Sequence, residues 1–340
     1  MIPCHPARLE SEPWQRELAD AVTDPLELLQ LLDLSPADLP ALRQASAAFP
    51  LRVPRYFVGL MRRGDASDPL LAQVLPTAAE LQTVAGFVSD PVEDLAAVRG
   101  GGILQKYSGR ALLVTTGACA VHCRYCFRRH FPYGEQSLLR RWPETLDRLR
   151  GVEDLREVIL SGGDPLTLSD RRLAALVAGI ESIPQVQRLR IHTRLPVVLP
   201  ARVSRGLVDL LAGSRLQTAC VIHANHPREV TAELGRALGQ LRAAGVILLN
   251  QSVLLKSVND DADTLAMLSE RLFRVGVLPY YLHMLDPVAG AAHFGVSNER
   301  ADALMAALRS VLPGYLVPRA VREIPGADSK VPIDLLSSDS

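Results

Sequence analysis

Residues 111–126, ALLVTTGACAVHCRYC, decide the fold. An apolar run of strand length ends there in a glycine and a knot of cysteines, and from Ala111 onward short apolar runs alternate with amphipathic stretches. Strands are predicted at ALLVTTGA (111–118), EVILSGG (157–163), QRLRIHT (187–193), QTACVIHA (217–224), GVILLNQSV (245–253) and LPYYLHML (278–285). Helical patterns lie between or after them: DRRLAALVAGIESI (170–183), PARVSRGLVDLLAG (200–213), TAELGRALGQLRAAG (231–245), DADTLAMLSERLFRVG (261–276) and NERADALMAALRSVL (298–312). Six such units predict an α/β fold of parallel strands with right-handed crossovers: a partial (β/α)6 TIM-like barrel, closed or nearly closed, with its chemistry at the strand C-terminal ends. An open doubly wound sheet is the alternative.

Upstream, residues 1–100 read as a helical N-terminal region broken by prolines. Ser35-Pro36-Ala37-Asp38 offers a hydroxyl cap, a proline at the first helical position and an acid in the first turn. Residues 101–335 then form the barrel, and 336–340 a short tail.

The 340 residues carry 37 basic and 37 acidic side chains and 48% hydrophobic residues, the balance of a folded globular protein rather than a disordered chain. A pI near 7.1 gives no field to gather nucleic acid or an anionic membrane. The opening MIPCHPARLESEPWQREL has prolines and acids where a signal peptide needs an apolar core, so a cytoplasmic protein is expected. Lys106, Lys256 and Lys330 are the only lysines, which restricts any chemistry that needs an amine.

Five cysteines, three of them within eight residues, suit metal binding better than a disulfide framework. Cys119, Cys123 and Cys126 form a CxxxCxxC loop directly after the first barrel strand. Three thiolates fill three corners of a cubane iron-sulfur cluster and leave one iron open, whereas structural zinc closes with four ligands. A zinc knuckle completed by His122 or His130 is the competing reading. Cys4 and Cys220 stand apart and read as structural. At the end of the next strand, Ser161-Gly162-Gly163-Asp164-Pro165 places glycines where the backbone can approach a ligand.

This loop at this place resembles the radical S-adenosylmethionine (SAM) superfamily, whose open iron chelates SAM. The segments GRALLVTTGACAVHCRYCFRRHF (109–131), LSGGDPL (160–166), HTRLPVVLP (192–200), NQSVLLKSVND (250–260) and the Lys330 loop together resemble, within it, the lysine 2,3-aminomutase family over roughly residues 90 to 335. The resemblance implies a radical SAM barrel, a [4Fe-4S] cluster on Cys119, Cys123 and Cys126, and SAM as the radical source. It also implies pyridoxal 5'-phosphate (PLP), tethered by Lys330 with its phosphate near Arg110. Tyr125, Ser161, Gly162, Gly163, Asp164, His223 and Gln251 match positions on the SAM side. Arg128 matches the arginine that grips the substrate carboxylate, a task suited to a guanidinium fork. Asp286 and Glu323 match two acids that hold the lysine ε-ammonium, with Glu323 in place of the aspartate usual in the free-lysine enzymes. Two acids there would repel a second substrate carboxylate.

The resemblance thus implies an isomerase that converts L-lysine to β-lysine with an external electron donor, and leaves a homo-oligomer open. The segments CRYCFRRHFPYGEQ (123–136) and REIPGADSKVPIDL (322–335), and a C-terminus ten residues past Lys330, resemble the branch that supplies β-lysine for elongation factor P, with a functional link to its β-lysine ligase. The alternatives are a mutase of free-lysine metabolism, a radical SAM enzyme without PLP, and a noncatalytic metal protein.

Overall fold

The computed structural model describes residues 12–36, 38–136, 138 and 141–333, so Cys4 and the tail at 336–340 lie outside the described residues. Nine strands make one sheet in chain order: β1 (Ile103–Leu104), β2 (Arg110–Thr116), β3 (Glu157–Gly162), β4 (Arg188–Thr193), β5 (Gln217–Ile222), β6 (Ile247–Val253), β7 (Leu278–His283), β8 (Arg319–Arg322) and β9 (Val331–Pro332). β2 through β8 are parallel, while β1 and β9 pair antiparallel at the two edges. The strand order never reverses, which sets the sheet apart from a doubly wound one. Among the described residues no ladder joins β1 to β9, so the barrel is open rather than closed. All six expected strands are present, and β8 adds a seventh parallel strand. Its four residues, RAVR, are too few and too charged to stand out in the sequence.

Five crossover helices start where a short polar side chain can satisfy their free N–H groups. Ser169, Ser204, Thr231, Asp261 and Ser297 accept from the backbone at the starts of Asp170–Glu181, Arg205–Ala212, Ala232–Ala243, Ala262–Arg274 and Asn298–Val311. The first of these buries Leu173, Leu176, Val177 and Ile180, one stripe at helical spacing turned onto the sheet. The expected continuous helix over 200–213 is instead two pieces, a single 3-10 turn at Pro200–Arg202 followed by Arg205–Ala212. The fully buried Arg202 guanidinium explains the break. It donates to Leu166 O and Leu168 O, pairs with Asp170 and lies over the Trp14 ring at 4.5 Å. That anchor turns the chain before Ser204 caps the second piece.

In the N-terminal region, Pro13, Pro25, Pro40 and Pro69 fall in first helical turns, where a missing N–H costs nothing. The helix expected to start behind Ser35 begins instead at Leu39, because the Asp38 carboxylate accepts from Ala41 N at 3.0 Å and Pro40 fits the first turn. These helices share one buried cluster with the sheet, in which Trp14, Leu28, Phe57 and Leu70 belong with Leu113, Leu160, Ile191 and Ile222. Cys220 lies in that cluster, its thiol pushed up to about 12 by burial, as a core residue should be.

Strand alternation positions the site. Along β4, Leu189, Ile191 and Thr193 are buried against the helices, while Arg190 and His192 face the other way. The β4, β5 and β6 register sets Val221 and Leu249 on that second face with His192, and Gln251 follows Leu249 two residues on.

Candidate functional site

Two groups of side chains meet at the C-terminal ends of the strands, one around the three thiols and one around Lys330.

The cysteine loop leaves β2 and is threaded onto the N-terminal region. His122 N donates to Arg52 O at 3.0 Å and Arg124 N to Gln73 O at 2.9 Å. Arg124, buried completely, donates Nε to Glu80 Oε1 at 2.8 Å and Nη2 to Glu80 Oε2 at 2.5 Å, and Arg129 reaches the same carboxylate at 2.8 Å. His122 Nδ1 meets Pro50 O and His130 Nε2 meets Ala289 O, so both histidines of the zinc reading have a ring nitrogen engaged elsewhere. Burial, followed by the neighbouring thiols, pushes Cys119 well up and Cys126 to about 11. Two buried thiols that resist ionising, Cys119 and Cys126, fit a cationic cluster that draws the protons off. Among the described residues no three His, Cys, Asp or Glu side chains crowd round one point as a single metal ion requires. A cluster binds each thiolate to its own iron and makes no such demand.

The glycines at the end of β3 fit against this loop. Gly163 N donates to Thr116 O at 2.7 Å and Asp164 N to Ala118 O at 2.8 Å. A Cβ at Gly163 would lie 2.4 Å from Ala118 O, and Gly162 has a φ of +113°. Ser161 Oγ accepts from Arg128 Nη1 at 3.3 Å. Burial raises the Asp164 carboxyl, whose oxygens accept from Leu166 N, Thr193 Oγ1, Arg194 N and Leu195 N, so this acid fastens β3 to β4. Tyr125 is buried, its hydroxyl hydrogen-bonded to Arg194 and Asn225 and its ring edge-on to Phe294. His223 Nε2 meets the Gln251 amide at 2.5 Å, and burial holds the imidazole neutral, down at about 3.

Around Lys330 the charges alternate. Arg128 Nε donates to Asp94 Oδ2 at 2.6 Å, and Lys106 Nζ lies 2.8 Å from Asp94 Oδ1 and 3.4 Å from Glu323 Oε1. Lys330 Nζ lies 2.5 Å from Glu323 Oε2, and the Tyr107 hydroxyl donates to Oε1 at 2.9 Å. Burial works against both acids, but Arg128 and Lys106 hold Asp94 below the usual carboxylate range, and Lys330, Lys106 and Tyr107 do the same for Glu323. Asp286 belongs to the same field with the opposite outcome, because burial pushes its carboxyl up to about 7. Arg110 opens β2, at the opposite end of that strand from the thiols, with its guanidinium over the Tyr107 ring at 4.9 Å. Beneath Lys330, burial keeps His192 and His283 neutral. His192 Nε2 and Arg190 Nε are buried there without a protein partner, as polar atoms awaiting a ligand are.

The sequence matches the radical SAM superfamily over residues 113–268. It is 51% identical over 326 residues to an L-lysine 2,3-aminomutase of Escherichia coli (strain K12), covering 95% of each chain. The chain belongs to the L-lysine 2,3-aminomutase family. Another member, from Haemophilus influenzae, is 46% identical and covers 97% of this chain and 98% of its own, and the enzyme of Clostridium subterminale is 34% identical over 94% and 77%. Among solved structures a radical SAM methyltransferase from Sphaerobacter thermophilus aligns at a TM-score of 0.44 and 20% identity over 65% of this chain and 68% of its own, too distant to bear on function.

Membership in the lysine 2,3-aminomutase family implies a [4Fe-4S] cluster, SAM and PLP, and both groups of side chains fit them: three clustered thiols for the first, an amine with nearby cations and orphaned polar atoms for the last. Sequence reasoning missed Asp94, Lys106, Tyr107, His192, His283 and Arg194. His192 and His283 were legible, since period-two alternation puts them on one strand face with Arg190 and Tyr281. Asp94 and Lys106 carry no local signal; only the fold brings them to Glu323.

Proposed function

We propose that this chain isomerises L-lysine to β-lysine. The observation that carries the reading is the alternating array from Arg128 through Asp94, Lys106 and Glu323 to Lys330, with Asp286 beside it. Such an array presents a guanidinium at one end and two carboxylates at the other, the complement of an amino acid with a distal ammonium. When bound, the cluster and SAM would supply radical chemistry for hydrogen-atom abstraction and return, and PLP would supply a carrier for the migrating nitrogen.

The chain's own residues do the rest. Arg128, held by Asp94, offers its remaining N–H groups to the substrate carboxylate. Glu323 has Oε1 fixed by Tyr107 and Lys106, leaving Oε2 for the ε-ammonium once the Lys330 amine is engaged with the cofactor. Asp286 supplies the second carboxylate. Arg110, next to Tyr107, takes the PLP phosphate, and Ser161, Gly162, Gly163, Asp164, Tyr125, His223 and Gln251 form the wall on the SAM side. The cluster would draw its electron from an external donor. No helix among the described residues is long and apolar enough to cross a membrane. A cytoplasmic role supplying β-lysine to an elongation factor P ligase, with a homo-oligomeric enzyme, completes the reading; the segments at 123–136 and 322–335 support it.

The test is anaerobic reconstitution with iron, sulfide and PLP, followed by SAM, dithionite and L-lysine, with β-lysine as the product sought. In Lys330→Ala the absorbance of tethered PLP should vanish while the cluster spectrum stays. Asp286→Asn should raise KM for lysine roughly ten- to hundred-fold, the worth of a hydrogen bond to a charged group. A KM that does not move removes Asp286 from the ammonium site, and no β-lysine from a fully loaded enzyme overturns the function.

A further inference from the structure

Arg194 has no part in the array around Lys330, yet it is among the most constrained cations in the protein. It follows β4, its backbone N–H held by Asp164 at 2.8 Å, and its side chain is only 7% exposed. One edge of the guanidinium meets the cysteine loop: Nη1 lies 2.7 Å from Cys123 Sγ and 2.6 Å from the Tyr125 hydroxyl. The other edge is held from behind, Nη2 donating to Gln73 Oε1 at 2.7 Å and to Glu229 Oε2 at 3.2 Å. Glu229 is itself fully buried, and its Oε1 already accepts from Gln73 Nε2, Asn225 N and His226 N. The carboxylate's charge is thus spread over several donors, while the cation faces the sulfur directly.

We infer that Arg194 sets the reduction potential of the cluster by donating a charge-assisted hydrogen bond to the Cys123 thiolate. The inference rests on the reading that Cys119, Cys123 and Cys126 hold that cluster. Reduction adds one electron to a group ringed by three thiolates, and the added charge is shared with the ligand sulfurs. A donor, and above all a cationic donor, at a ligand sulfur favours the reduced state. Burial sharpens the effect, since little water is present to screen it. Arg194 therefore eases the electron transfer on which SAM cleavage depends.

The experiment is a reductive titration of the anaerobically reconstituted holoenzyme, followed by electron paramagnetic resonance, with iron counted per chain. Arg194→Gln removes the charge and leaves Glu229 facing a neutral partner, so the double variant Arg194→Gln/Glu229→Gln is measured beside it to avoid an unpaired buried carboxylate. At undiminished iron content both variants should show a more negative midpoint. At the wild-type midpoint the ratio of reduced to oxidised cluster should fall about tenfold, or about 59 mV for a one-electron couple. Glu229→Gln alone should show no negative shift. An unchanged midpoint in an iron-replete Arg194 variant overturns the proposal, and so does failure of both Arg194 variants to hold iron, which makes the residue a folding determinant. A wild-type protein that forms no paramagnetic cluster on reduction defeats the cluster reading itself, an outcome distinct from either.

Discussion

Asp286 and Glu323 share a field of cations but sit in opposite protonation regimes, and the difference lies in what each carboxylate touches. Glu323 is contacted by Lys330, Lys106 and the Tyr107 hydroxyl, which together outweigh its burial. For Asp286 burial outweighs the attraction of Lys330 and Lys106, and its carboxyl rises from 3.8 to about 7. The native chain then holds a proton on Asp286 through a pH range in which the unfolded chain has lost it. The stability this confers is complete below about pH 4 and is lost as the pH rises toward 7, the reverse of a salt-bridged acid. Asp286→Asn should abolish that dependence. In thermal denaturation of the cofactor-free protein, the variant should gain on the wild type between pH 5 and pH 8 by up to about 4 kcal/mol. Parallel pH profiles for the two proteins would show that Asp286 is ionised throughout, and with it that burial does not dominate its surroundings.

The cysteine loop is held by an element with no sequence link to it. The 3-10 turn Ala78–Leu81 presents Glu80 to Arg124, which lies between two of the thiols, and to Arg129 beyond the third. Removing one partner of a buried pair typically costs 3–5 kcal/mol, so Glu80→Gln should lower the melting temperature and the iron retained per chain after reconstitution; normal iron content would show that the loop needs no such brace. Two glycines give a sharper contrast. Gly163→Ala pushes a methyl against Ala118 O and should yield a poorly folded chain. Gly239→Ala, inside the helix Ala232–Ala243 with nothing within 4 Å of the new Cβ, should stabilise by about 1 kcal/mol in chemical denaturation. What the sequence made legible follows the same division. Apolar periodicity reported β2 through β7, the cysteine spacing marked the thiol loop, and the scarcity of lysine narrowed the amine to three candidates, among which only the family resemblance pointed to Lys330. Arg202 broke a helix that periodicity joined, and Gln73, Glu80, Asp94 and Lys106 reached the site only through tertiary packing, which no local pattern encodes.

At the scale of the whole molecule, the N-terminal helices are built into the structure that positions the site. Gln73, Glu80, Asp94 and Lys106 all come from residues before β2, so the cysteine loop, Arg128 and Glu323 are each held partly from outside the parallel strands. The apolar contacts agree, because Trp14, 2% exposed in the helix Pro13–Ala19, packs beneath the Arg202 guanidinium that fixes the turn after β4. A region so joined should unfold with the barrel. Calorimetry of the full chain should show one transition, and Trp14→Ala, losing about 3–5 kcal/mol of core packing, should move it as a whole and carry the loss of cluster absorbance along with it. If Trp14→Ala instead split the trace, with an early step that left the iron in place, the N-terminal helices would be a separate unit. The brace drawn from Glu80 and Gln73 to the cysteine loop would then carry no weight, because the loop would have kept its geometry without them.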